Sequence, residues 1–102
     1  MKFGLNEKTI EQIHSAFARY PQVKKAVIYG SRAKGNNSKG SDIDLTLMGG
    51  SDLTVRVLYR IMDDLEALPV PYSFDISIYH QIDDPDVISH IERVGLPFYE
   101  KT

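Results

Sequence analysis

The 102 residues include no cysteine and no tryptophan. The absence of cysteine excludes disulfides and thiolate metal centres, and with them the usual framework of a small secreted scaffold. No apolar run approaches the roughly 20 residues that a membrane-spanning helix needs, and the N-terminus lacks a signal-peptide pattern. A cytoplasmic location is therefore expected, without membrane association. Basic residues are not in excess, since 12 Lys and Arg stand against 14 Asp and Glu for a formal net charge of −2. That balance provides no general attraction to nucleic acid, although a local basic patch remains open. Proline is also sparse. Its five occurrences, at Pro21, Pro69, Pro71, Pro85 and Pro97, punctuate the chain and leave its apolar periodicities intact.

An apolar fraction of 42% and a charged fraction of 25% are ordinary for a globular protein. Residues 1–102 are expected to form a single domain, with no separate substrate domain. Asn6 is placed to cap a helix from about Glu7 to Tyr20, in which Ile10, Ile13, Phe17 and Tyr20 recur at helical spacing before Pro21 stops it. A short buried strand is expected over about Lys25 to Tyr29, followed by a polar loop from Gly35 to Ser41. A second strand covers Asp42 to Met48. Ser51 or Asp52 then caps a long helix to about Leu68, whose apolar arc of Leu53, Val57, Ile61, Leu65 and Leu68 is widened by Val55, Leu58 and Met62. Such width suits core packing first and an interface second. A third strand is read over about Tyr72 to Tyr79, and a last helix from Asp83 or Asp84, with Pro85 at its first position, to Gly95 and the stop at Pro97.

The chemistry lies at the strand ends. Gly30 and Ser31 follow the apolar run Ala26-Val27-Ile28-Tyr29, where glycine lets a backbone approach an anion closely and the serine hydroxyl donates a further bond. Asp42 and Asp44 alternate with Ile43 and Leu45, so both carboxylates share one face of a strand. Asp75, in Phe74-Asp75-Ile76, supplies a third carboxylate on the polar side of its strand. Hard oxygen donors of this kind suit Mg2+ shared with substrate phosphates, and the set matches what two-metal nucleotidyl transfer requires. A calcium loop does not fit, because Ile43, Leu45 and Leu47 occupy positions where that loop needs ligands. A P-loop is excluded by Asn36, which stands where the lysine should be, although Gly30 and Gly35 have the required separation. His14, His80 and His90 have no metal-ligand spacing and stay outside the expected site. For Ser31 and Asp42 to meet, the first two strands must run antiparallel, while the helical crossover makes strands two and three parallel neighbours and brings Asp75 beside Asp44. The expected fold is α/β (α+β), a small mixed β-sheet with helices covering one face.

Tyr29-Gly30-Ser31-Arg32-Ala33-Lys34-Gly35 followed by Ser41-Asp42-Ile43-Asp44-Leu45 resembles the signature of minimal nucleotidyltransferase domains in the DNA polymerase beta superfamily. The resemblance spans about Lys8 to Tyr99 and implies the polymerase-beta-like nucleotidyltransferase fold. It implies that Gly30 and Ser31 hold nucleotide phosphates, with Arg32 and Lys34 neutralising charge. Lys34 replaces a frequent arginine and lacks its two-pronged geometry. It also implies that Asp42, Asp44 and Asp75 bind two Mg2+ ions, and that Asp75 helps activate the attacking hydroxyl. The expected reaction moves AMP from ATP to a hydroxyl on a partner protein. The resemblance points to a small helical HEPN-type partner, in which case the chain would be the antitoxin of a toxin–antitoxin pair. A non-catalytic nucleotide-binding antitoxin that occludes its partner is the alternative, and transfer to an aminoglycoside-like or nucleic-acid acceptor a weaker third.

Overall fold

A computed structural model describes residues 2–102. Elements follow in the order α1 (Glu7–Ala18), β1 (Val23–Tyr29), α2 (Gly30–Lys34), β2 (Ile43–Gly49), α3 (Val55–Glu66), β3 (Phe74–Ile78), a 3-10 turn (Tyr79–Gln81), α4 (Pro85–Val94) and β4 (Leu96–Glu100). The strands form one sheet in the order β3-β2-β1-β4. β1 is antiparallel to both β2 and β4, while β2 and β3 are parallel. The expected mixed α+β sheet is therefore present, with the expected strand directions.

Strand alternation divides the sheet into two faces. Ala26 and Ile28, Leu45 and Leu47, and Ile76 and Ile78 enter the main core with Ile13 and Phe17 of α1 and Ile61 and Leu65 of α3. The alternate positions, Val27 and Tyr29, Asp44 and Thr46, and Asp75 and Ser77, face the other way. Helices were expected to cover one face of the sheet, but both faces carry them. α4 lies on this second side, where a side chain at Gly95 would run into Val27 and where His90 meets the Tyr29 ring.

Helix starts follow local chemistry. The Asn6 side chain accepts the Thr9 amide at 2.8 Å, and Asp84 accepts that of Asp86 at 2.9 Å with Pro85 in the first turn. α3 begins later than the Ser51 or Asp52 caps suggest. Thr54 caps it instead, because the Leu53 amide bonds back to the Gly50 carbonyl in a turn that buries Leu53 before the helix starts. β4 is the element the sequence reading lacks. α4 ends at Val94, just short of the expected stop at Gly95 and Pro97, and Leu96–Glu100, Pro97 included, pairs with β1 as an edge strand, where a missing amide is tolerated.

Candidate active site

The turn from β1 into α2 builds the first wall of the site. Tyr29 is extended and Gly30 takes φ +72°, a conformation open to glycine at little cost. A Cβ on Gly30 would also press directly on the Asp44 carboxylate. Gly30 is thus required twice, by its backbone and by its neighbour. Ser31 follows in the first turn of α2, partly exposed, and its carbonyl accepts the amides of Gly35 and Asn36.

Strand register supplies the carboxylates. Tyr29 pairs with Asp44 across β1 and β2, and Asp44 pairs with Asp75 across β2 and β3, so the three form one row on one face. Asp42 lies just before β2 and is exposed. Its backbone is held on both sides, since the Ser41 carbonyl accepts from Arg32 and the Ile43 amide donates to Ser73. Burial pushes the Asp44 carboxyl above its ordinary value, and the nearby charges of Asp75 and Asp42 push it further; His90 and Arg32 oppose this. Mutual repulsion among three oxygen-donor side chains is a situation that a hard cation relieves, so the donor set fits Mg2+. Among the described residues, no three His, Cys, Asp or Glu side chains are gathered tightly enough to form a complete metal cage. A shell shared with substrate phosphates does not require one.

The two basic residues of α2 differ in exposure. Arg32 is only 2% exposed, and its guanidinium donates to the Ser41 and Phe3 carbonyls instead of facing open space. Lys34 is exposed at the end of α2. His90, set aside on spacing grounds, stands edge-on to Tyr29 with ring centroids 6.1 Å apart and close enough to Asp44 to bear on its charge. Only the packing of α4 on α2 and β1 could reveal this, because no short-range pattern links His90 to Tyr29. Burial also raises the Tyr29 hydroxyl above its ordinary range; a bond with Ser77 opposes this, and the Asp75 and Asp44 charges add to it. Ser77 in turn donates to Thr46 at 2.9 Å, giving the carboxylates a polar floor. A groove of about 470 Å3 lies elsewhere, between α1 and β4, lined by His14, Phe98 and Tyr99.

The segment that carries this glycine turn and these aspartates falls within the match of one family model. The polymerase beta nucleotidyltransferase model fits residues 11–102. The chain belongs to that family. Solved structures agree on the fold. A toxin–antitoxin complex with AMP-PNP aligns at TM-score 0.71 and 16% identity, over 96% of this chain and 76% of that one. A MntA-HpeT toxin–antitoxin variant with two aspartates replaced by glutamate aligns at 0.68 and 13%, over 96% and 75%. A Sulfolobus solfataricus protein described as a candidate nucleotidyltransferase aligns at 0.53 and 18%, over 99% and 90%. No functionally curated sequence matches this nucleotidyltransferase chain.

Proposed function

We propose that this nucleotidyltransferase moves AMP from ATP to a hydroxyl on a partner protein and acts as the antitoxin of a pair with a HEPN-type toxin. The observation carrying the chemistry is the single row formed by Tyr29, Asp44 and Asp75, with Gly30 seated against Asp44. In this reading Gly30 admits the triphosphate close to the backbone and the Ser31 hydroxyl donates to it, with Lys34 adding charge at the rim. Asp42, Asp44 and Asp75 would hold Mg2+, two ions in the full site, which when bound neutralises charge on the attacking and leaving oxygens. Asp75 takes the proton of the acceptor hydroxyl as its oxygen bonds to the α-phosphorus, the bond to the β-phosphate bridging oxygen breaks, and pyrophosphate departs. Asp75 is exposed on β3, an edge strand. An acceptor carried on another protein can reach such an edge.

Support for the antitoxin role comes from the toxin–antitoxin neighbours, one of them solved with AMP-PNP. The test incubates the chain and its co-purifying partner with Mg2+ and ATP labelled at the α-phosphate. Label is expected on the partner with wild type and reduced by about 100-fold or more with Asp44→Asn, the scale for losing a group that stabilises transition-state charge. Equal labelling by both proteins would refute the assignment.

A further inference from the structure

Arg32 is the largest fully buried side chain of the molecule as described. A guanidinium removed from water must have its donors satisfied, and here carbonyl oxygens do so. Nε and Nη2 converge on the Ser41 carbonyl at 3.1 and 2.7 Å, while Nη1 donates to the Phe3 carbonyl at 2.9 Å. The guanidinium carbon stands 4.9 Å from the centre of the Tyr72 ring. Four segments meet at this side chain: α2, the N-terminal turn, the end of the 35–41 loop and the approach to β3.

Two of those segments flank Asp42. Ser41 is its predecessor and also closes the loop, because its amide donates to the Ser38 carbonyl and its Oγ accepts from the Ser38 amide. Tyr72 precedes Ser73, whose carbonyl receives the Ile43 amide on the other side of Asp42. The N-terminal turn is fitted just as closely. Gly4 has φ +71°, and a Cβ there would meet Asn37 Nδ2 at 2.6 Å and Arg32 Nη1 at 3.0 Å.

We propose that Arg32 is a positioning residue, a buried clamp that sets the backbone carrying Asp42, and is not a ligand of the nucleotide phosphates. The inference rests on the nucleotidyl-transfer reading for its consequence but not for its geometry. Two donors forked onto one carbonyl require a guanidinium, so lysine keeps the charge and loses the clamp. Loosening the support of a metal-ligand carboxylate weakens metal use more than it weakens direct phosphate binding.

The test titrates AMP-PNP into wild type and Arg32→Lys across a Mg2+ series, and measures amide hydrogen exchange on both proteins. Arg32→Lys is expected to need about 10- to 100-fold more Mg2+ for half-maximal AMP-PNP binding, with Kd at saturating Mg2+ within about threefold of wild type. Amides 36–42 are expected to exchange about tenfold faster, while those of β1 keep their protection. Tyr72→Leu and Gly4→Ala, which act on the clamp without replacing its guanidinium, should move both readouts in the same direction, and they carry the test if Arg32→Lys does not fold. A tenfold or greater rise in Kd at saturating Mg2+, with an unchanged Mg2+ midpoint and unchanged loop exchange, would instead make Arg32 a phosphate ligand. If wild type binds no AMP-PNP at any Mg2+ concentration, the nucleotide reading fails, and loop exchange still decides whether Arg32 clamps the loop.

Discussion

Asp44 is asked to stay ionised where ionisation is unfavourable. Burial and the charges of Asp75 and Asp42 raise its carboxyl above the ordinary 3.8. A carboxyl raised in the folded state contributes fully below its unfolded value, and that contribution is lost as pH rises through the folded value. At neutral pH the charged Asp44 therefore costs stability. Asp44→Asn, which cannot ionise, should abolish labelling and yet melt at a higher temperature than wild type at pH 7. The gap should narrow as the pH falls, because the raised folded-state carboxyl regains its proton before an ordinary one would. Thermal melts at pH 7 and at lower pH check it, and a lower Tm for Asp44→Asn at pH 7 would contradict it. Under the proposed nucleotidyl-transfer reading, such a site gives up stability for function. The identities of Asp44 and Gly30 were legible from the motif. Their mutual contact was not, because it depends on the turn of β1 into α2 meeting a strand residue 14 positions further on.

Among the elements, helix starts were more legible than helix neighbours. Asn6 and Asp84 cap α1 and α4 as their positions indicate, since capping needs only a side chain and an amide two or three residues away. Asn6→Ala should cost about 1 kcal/mol, lowering Tm by about 4–8 °C in a domain of this size. Transfer activity should be unchanged at temperatures where the variant is folded, because α1 packs on the face opposite the carboxylates. Calorimetry paired with the labelling assay tests this, and a loss of activity without loss of Tm would show α1 coupled to the site. α3 shows the limit of local reading. Ser51 and Asp52 are good caps by type, but the turn that buries Leu53 moves the start to Thr54. On the same helix Tyr59 remains 61% exposed and Val55 41%, so the wide apolar arc is only partly used by the core.

For the whole molecule, stability and site geometry depend on the same central strands. Leu45 is fully buried in β2 on the face opposite Asp44, packed in the cluster with Ile28 and Ile76. Leu45→Ala should lose about 2–5 kcal/mol, a large share of the roughly 5–15 kcal/mol that holds a domain together. Urea unfolding is expected to show a lower midpoint with an unchanged slope, and a loss below about 1 kcal/mol would mean that the core collapses around the gap. Among the described residues no helix is long and apolar enough to cross a membrane.

The sequence by itself determined the types of all the main elements before β4, the parallel and antiparallel pairings around β2, and the residue types of the glycine turn and the three carboxylates. Those are properties of short windows, where periodicity of two or 3.6 residues and turn chemistry leave few alternatives. Tertiary structure alone decided that the chain after α4 returns to pair with β1, that α4 carries His90 to Tyr29, and that Arg32 is buried against Phe3, Ser41 and Tyr72. Each of these joins residues far apart in the chain. Whether a charged side chain meets solvent, a phosphate or a buried carbonyl depends on which distant segments close around it, and no local pattern records that.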